Sequence, residues 1–173
     1  MGEATRGGAG AAPALADALE PVRGLNEAAA LGAFVAVCLK VAPSAYSAWS
    51  IDAVGRFVLP SVRLGQYVVF ADEAGPQGFV SWGWLSDDVL DWLLTRHEDP
   101  RPYEWRSGPN LLIGDFVCRP GLVPLMARHL QRRVFVEGSP DHLHDFDHAR
   151  AIKRDAAGAV VKTSRWPRWR PRG

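Results

Sequence analysis

Cysteine is nearly absent: Cys38 and Cys118 are the two in 173 residues, far apart and each inside an apolar run. That excludes a disulfide scaffold and any CxxC metal or redox site. Long apolar runs are missing as well. The longest, residues 28–39, falls short of the ~18 residues that a membrane span needs. No charged-then-apolar signal segment opens the chain, so a soluble, cytoplasmic protein is expected. Net charge is only +1, which fits neither a bulk polyanion binder nor a disordered acidic chain. Neither GxxxxGK[ST] nor GxGxxG occurs, so no glycine-rich loop cradles a nucleotide phosphate.

What is present is a core. The chain is 47% hydrophobic and 23% charged, the profile of one globular domain. Its ends differ from that average. Residues 1–24 are rich in Ala and Gly, with Pro13 and Pro21, and read as a disordered leader. At the other end, Lys162, Arg165, Arg168, Arg170 and Arg172 alternate with Trp166 and Trp169, with no acidic residue among them. Removing these five cations from the net +1 leaves −4 for the rest. Residues 163–173 therefore read as a basic Trp/Arg tail after a folded domain at 25–162. Such a tail suits RNA, anionic lipid or an acidic protein. It equally suits a solvated end in which Pro167 and Pro171 forbid helix; nucleic acid is not the expected partner.

Within the domain, Asn26 is an N-cap with Glu27 in the first turn. Leu31, Phe34, Val35, Cys38 and Val41 then recur at helical spacing until Pro43 stops the helix. Residues 66–70 and 78–84 flank a turn at Asp72–Pro76 and read as an antiparallel hairpin. Ser86 caps a short helix over 87–94. Residues 110–118 (NLLIGDFVC) form an apolar strand broken by one carboxylate, Asp115. A helix over 122–133 follows, then a strand start at 134–136, and two strands at 149–154 and 158–162. This order gives an α+β fold with a mainly antiparallel central sheet flanked by helices.

Asp115 is the first candidate for chemistry, because a buried carboxylate is costly unless it is paired or used. Strand alternation sets it on the face opposite Gly114 and Phe116, which leaves open whether that face meets the core or solvent. The run DHLHDFDH (Asp141, His142, His144, Asp145, Asp147, His148) lacks the HExxH form and reads as loop polarity rather than a metal site. Trp82 and Trp84 share one strand face and line either a core or a groove able to flank a lipid chain. Both cysteines read as packing residues.

Three segments carry a resemblance: LPSVRLGQY at residues 59–67, GFVSWGWLS at 78–86 and EWRSG at 104–108. With Leu31-Gly32 in the first helix, the strand bearing Asp115, and ARAIKRD at 149–155, the chain resembles the RTX-toxin-activating lysine acyltransferases over roughly residues 26–165. The resemblance implies a GNAT-like fold that moves a fatty acyl chain from acyl carrier protein to a lysine side chain. The acceptor would be an RTX-type protoxin or another precursor peptide, and a homodimer is a further implication. No tightly bound cofactor is implied; the donor is acyl-phosphopantetheine on the carrier. That agrees with Arg119-Pro120-Gly121, whose single glycine and two nearby prolines, Pro120 and Pro124, cannot build a coenzyme A clamp.

The family uses a histidine soon after the first helix and an aspartate in the central strand. Asp115 matches the aspartate. Tyr46 occupies the histidine position, or Ser44 or Ser47 if the register slips, since no histidine precedes His97. A phenol near pKa ~10 is a poor base at neutral pH but can act as an acid toward a departing thiolate, leaving Asp115 as base. Arg63, Arg119, Arg128, Arg132 and Arg133 are the expected docking charges for an acidic carrier. The rival reading is a non-catalytic module that binds carrier or peptide.

Overall fold

The computed structural model describes residues 19–155 and 159–168. Six strands form one sheet in chain order: β1 (Glu20–Val22), β2 (Tyr67–Asp72), β3 (Gly75–Leu85), β4 (Asn110–Cys118), β5 (His148–Arg154) and β6 (Val160–Pro167). Every neighbouring pair is antiparallel except β4 and β5. The α+β class and the mainly antiparallel sheet expected from the sequence are what the chain adopts.

Helices cover both faces. On one lie α1 (Glu27–Val41), α2 (Pro43–Tyr46), α3 (Ile51–Phe57), α4 (Leu59–Arg63) and α5 (Asp87–Asp91). On the other lies α6 (Val123–His129), which buries Met126 beneath the indoles of Trp82 and Trp84. The Asn26 carboxamide accepts the Ala29 N–H at 2.8 Å, and Glu27 and Lys40 complement the α1 dipole. The buried stripe of α1 is Ala30, Ala33, Phe34, Val37 and Cys38, one position out of phase with the expected one, so Val35 stands exposed. This helix is apolar nearly all round, and its period alone does not set its rotation.

Three boundaries differ from expectation. Residues 20–22 are not part of a leader, because β1 pairs with β2 and Leu19 is buried beside it; residues 1–18 lie outside the described residues. The basic tail is not separate either, since β6 runs to Pro167 and packs Trp166 edge-on against Phe116. Trp169 and the residues after it are outside the description. Residues 134–136 form no strand: α6 continues as a π-helical turn, Leu130–Val134, that drives Val134 and Phe135 into the core. A similar turn, Trp92–Arg96, extends α5 and ends at His97 in the left-handed region, φ 57°.

Candidate active site

The site begins with a defect in the sheet. Ser81 pairs with Asp115 and Trp82 with Ile113, so Gly114 has no partner on β3 and forms a bulge. The bulge inverts the alternation of β4. Leu111 and Ile113 point toward α6, and beyond the bulge so does Phe116, while Val117 joins the core under α1. Asp115 thereby falls on the α1 face, beside Ser81. Had Gly114 paired with Ser81 in a regular ladder, Asp115 would share the face of Ile113.

The motif segments are what build this region. Trp105 lies flat on two glycines: a Cβ on Gly83 would sit 2.8 Å from its ring, and one on Gly114 would sit 3.3 Å away. Gln66 donates to the carbonyls of Trp82 (3.2 Å) and Trp105 (3.3 Å), and the Ser61 hydroxyl donates to Trp82 at 3.0 Å. Gly65, at φ 68°, turns the chain so that Gln66 reaches inward. LPSVRLGQY, GFVSWGWLS and EWRSG are thus a scaffold for the bulge.

Asp115 itself is 6% exposed. Its carboxylate accepts the Ser81 hydroxyl at 3.2 Å, and its own N–H donates back to that oxygen at 3.1 Å. Burial pushes its pKa up to about 6, partly offset by the Arg154 charge and the Ser81 hydrogen bond. Arg154 is held in turn by Asp99 at 2.8 Å and by the face of Phe57, 3.9 Å from the ring centre.

β4 and β5 are joined at only two positions, Leu112↔Arg150 and Ile113↔Ala151, and diverge beyond them. The gap is a cleft of about 450 Å³. One wall is β4 from Gly114 to Cys118; the other is β5 and β6, with Lys153, Arg154, Lys162, Ser164 and Trp166. Tyr46 and Trp49 close it from the helical side. Tyr46 is seated by rings, edge-on to Phe34 at 5.7 Å and tilted on Trp49 at 4.9 Å, and the Trp49 indole donates to the Asp155 carbonyl. Burial above all, then the charge of Asp115 and the Cys38 thiol, push the phenol far above its ordinary range. It is a neutral hydrogen-bond donor at any working pH.

Of the residues read from the sequence, the cleft unites Asp115 and Tyr46. Ser47 is exposed at the end of α2, and the side chain of Ser44 is outside the description. Trp82 and Trp84 are fully buried under α6, and neither lines the cleft. Of the two readings of their shared face, core or groove, they take the core beneath α6. Arg63 lies on the surface, paired with Glu27 at 2.9 Å, and Arg119 is half-buried after β4; neither reaches the cleft. Ser81, Arg154, Lys153, Lys162, Ser164 and Trp166 were not singled out as site residues. The one local signal among them was Ser81, which lies on the strand face opposite the two tryptophans.

The DHLHDFDH run is structural rather than surface polarity at its first residue. Asp141 is buried, takes both Arg23 guanidinium nitrogens, and accepts the Trp84 indole N–H on its carbonyl at 3.0 Å. Among the described residues no group of three or more His, Cys, Asp or Glu is placed to hold a metal ion. Both cysteines are free; burial raises each thiol, that of Cys118 to about 11.

Known proteins of one kind are similar to this chain. The lysine-acyltransferase RtxC of Vibrio cholerae is 32% identical over 80 residues, 46% of this chain and 52% of that protein. The RTX-II toxin-activating lysine-acyltransferase ApxIIC of Actinobacillus pleuropneumoniae is 22% identical over 85 residues, 49% and 53% of the two chains. The leukotoxin-activating lysine-acyltransferase LktC of Mannheimia haemolytica is 28% identical over 75 residues, 43% and 45%. The chain thus spans about half the length of the curated relatives it matches. The pattern of the RTX toxin acyltransferase family, by contrast, matches residues 23–165, most of the described sheet and helices, and the chain belongs to that family.

Proposed function

We propose that this chain is an N-acyltransferase with a GNAT-like fold, moving a fatty acyl group from acyl carrier protein to a lysine side chain. The acceptor is a protoxin of the RTX type or another precursor peptide. The observation that carries the reading is Asp115: a buried carboxyl with its pKa raised to about 6, on the wall of a cleft that splits two parallel strands. At pH 7 it is ionised, yet more basic than an ordinary carboxylate.

The chemistry follows from that pair of groups. A lysine amine attacks the thioester carbonyl; the C–N bond forms and the C–S bond breaks. Asp115 takes the amine proton, the Tyr46 O–H hydrogen-bonds the leaving sulfur, and the proton passes from Asp115 through solvent to the thiolate. A tyrosine this far from ionising serves only as donor, so the base work falls to Asp115 alone. Exposed Arg128 on α6 and Arg132 and Arg133 on its π-helical turn, with Arg63 and Arg119, supply positive charge for an acidic carrier. The chain acts in the cytoplasm as a homodimer under the same reading.

The test is to incubate the protein with carrier loaded with long or hydroxylated chains and with lysine peptides from neighbouring genes. A mass gain on lysine, lost in Asp115→Ala, is expected. No transfer from any pair by a folded protein overturns the reading. The second reading, a binding module, is favoured by Tyr46 standing where the family has its histidine. Tyr46→Phe separates the two: loss of turnover by ~10²-fold or more with unchanged peptide binding marks catalysis, and an unchanged protein marks the module.

A further inference from the structure

The outer wall of the cleft contains a like-charge pair in register. Lys153 and Lys162 are direct partners on β5 and β6. Such neighbours have Cβ atoms ~5 Å apart and repel, at a cost to the sheet. Both side chains are exposed, both line the cleft, and neither makes an ion pair among the described residues. The carboxylate of the hairpin itself, Asp155, is used in its turn, where it accepts the Ala159 N–H at 3.0 Å.

The face bearing this pair is graded along the ladder. Ala149 opposes Trp166, Ala151 opposes Ser164, and Lys153 opposes Lys162. The wall therefore passes from apolar contact, through a hydroxyl, to two ammonium groups at the open end. A repulsive pair held over a cleft is relieved by one ligand type above others, an oxyanion bound between the two charges. A phosphate ester fits, because its tetrahedral oxygens accept from two ammonium groups and a hydroxyl at once.

We infer that Lys153, Lys162 and Ser164 form a phosphate-binding clamp at the mouth of the cleft, which takes the phosphate ester of the acyl donor. The clamp rests on the acyltransferase reading for the identity of the donor, but not for the phosphate chemistry. It requires no glycine-rich loop, and it lies on the β5–β6 hairpin rather than at the N-terminus of α6.

The decisive variant is Lys162→Glu in the full chain, since it turns a repulsive cross-strand pair into an attractive one. Its Tm is expected to rise by about 1–3 °C. Its affinity for carrier bearing phosphopantetheine is expected to fall roughly tenfold, with carrier lacking the arm unaffected. Titrations with coenzyme A and inorganic phosphate show whether a free phosphate compound is held by the same lysines. Equal weakening toward both carrier forms overturns the clamp, as does unchanged binding of the arm-bearing carrier. So does a wild-type protein that binds none of the three probes. Lysine-dependent phosphate binding without acyl transfer sinks the acyltransferase reading alone. Transfer by Lys162→Glu at an unchanged donor KM sinks the clamp alone.

Discussion

The two walls of the cleft are built in opposite ways. The β4 wall is packed on both faces, tied to β3 along its whole length, and overlaid by Trp105 where Gly83 and Gly114 leave room. The β5–β6 wall touches β4 at two positions, and it is polar and cationic, half-buried along β5 and mostly exposed along β6. A reacting group has to be held to a fraction of an ångström, whereas a flexible substrate arm needs only charge and an open surface. Asp115 stands on the first wall and the lysines on the second.

The largest test of that contrast is Asp115→Asn. Catalysis should fall by at least ~100-fold, read as lysine acylation by mass spectrometry. Stability should move the other way. The carboxyl titrates near 6 when folded against ~3.9 unfolded, so its burial costs nothing below pH ~4, where both states are protonated. The cost grows between those values and is complete above pH 6, at about 3 kcal/mol. Asn carries no such charge. Urea unfolding should therefore show the variant more stable than its parent at pH 8 and nearly equal to it at pH 4.

Next in size is the pH profile of the parent. With Asp115 as base, the rate should fall as pH drops through about 6, approaching tenfold per unit below it. A profile flat from pH 5 to 8 would remove Asp115 from proton transfer. Smaller again is Gly83→Ala, which places a methyl 2.8 Å from the Trp105 ring and should cost about 1–3 kcal/mol in urea unfolding. The open wall gives the contrasting case. Val161, 56% exposed at the irregular position of β6, should accept Ser within about 0.5 kcal/mol. A large loss there would mean that both walls are equally rigid.

Legibility in the sequence follows the same division. The Asn26 cap, the β2–β3 hairpin, β4 and the β5–β6 pair were readable because each is written in local period and turn chemistry. The side to which Asp115 points was not. It depends on one unpaired glycine, and a glycine in an apolar strand has the same signature whether or not it bulges. The rotation of α1 was lost because Val35 and Leu39 are as apolar as the residues it buries. Trp82 and Trp84 were visible as a pair on one face, but only the packing of α6 decides that this face is core. Trp166 was read with the charges around it, and its pairing with Ala149 on β5 is a long-range fact.

The Gly114 bulge makes the sidedness of Asp115 a matter of register. Deleting Gly114 would make the ladder regular and leave Asp115 beside Ser81. Keeping it and pairing it with Ser81 in an unbulged strand would instead turn Asp115 to the α6 side, away from Tyr46, and exchange Phe116 and Cys118 with Val117. A drift of the register by one residue therefore takes Asp115 out of the cleft without altering a single side chain.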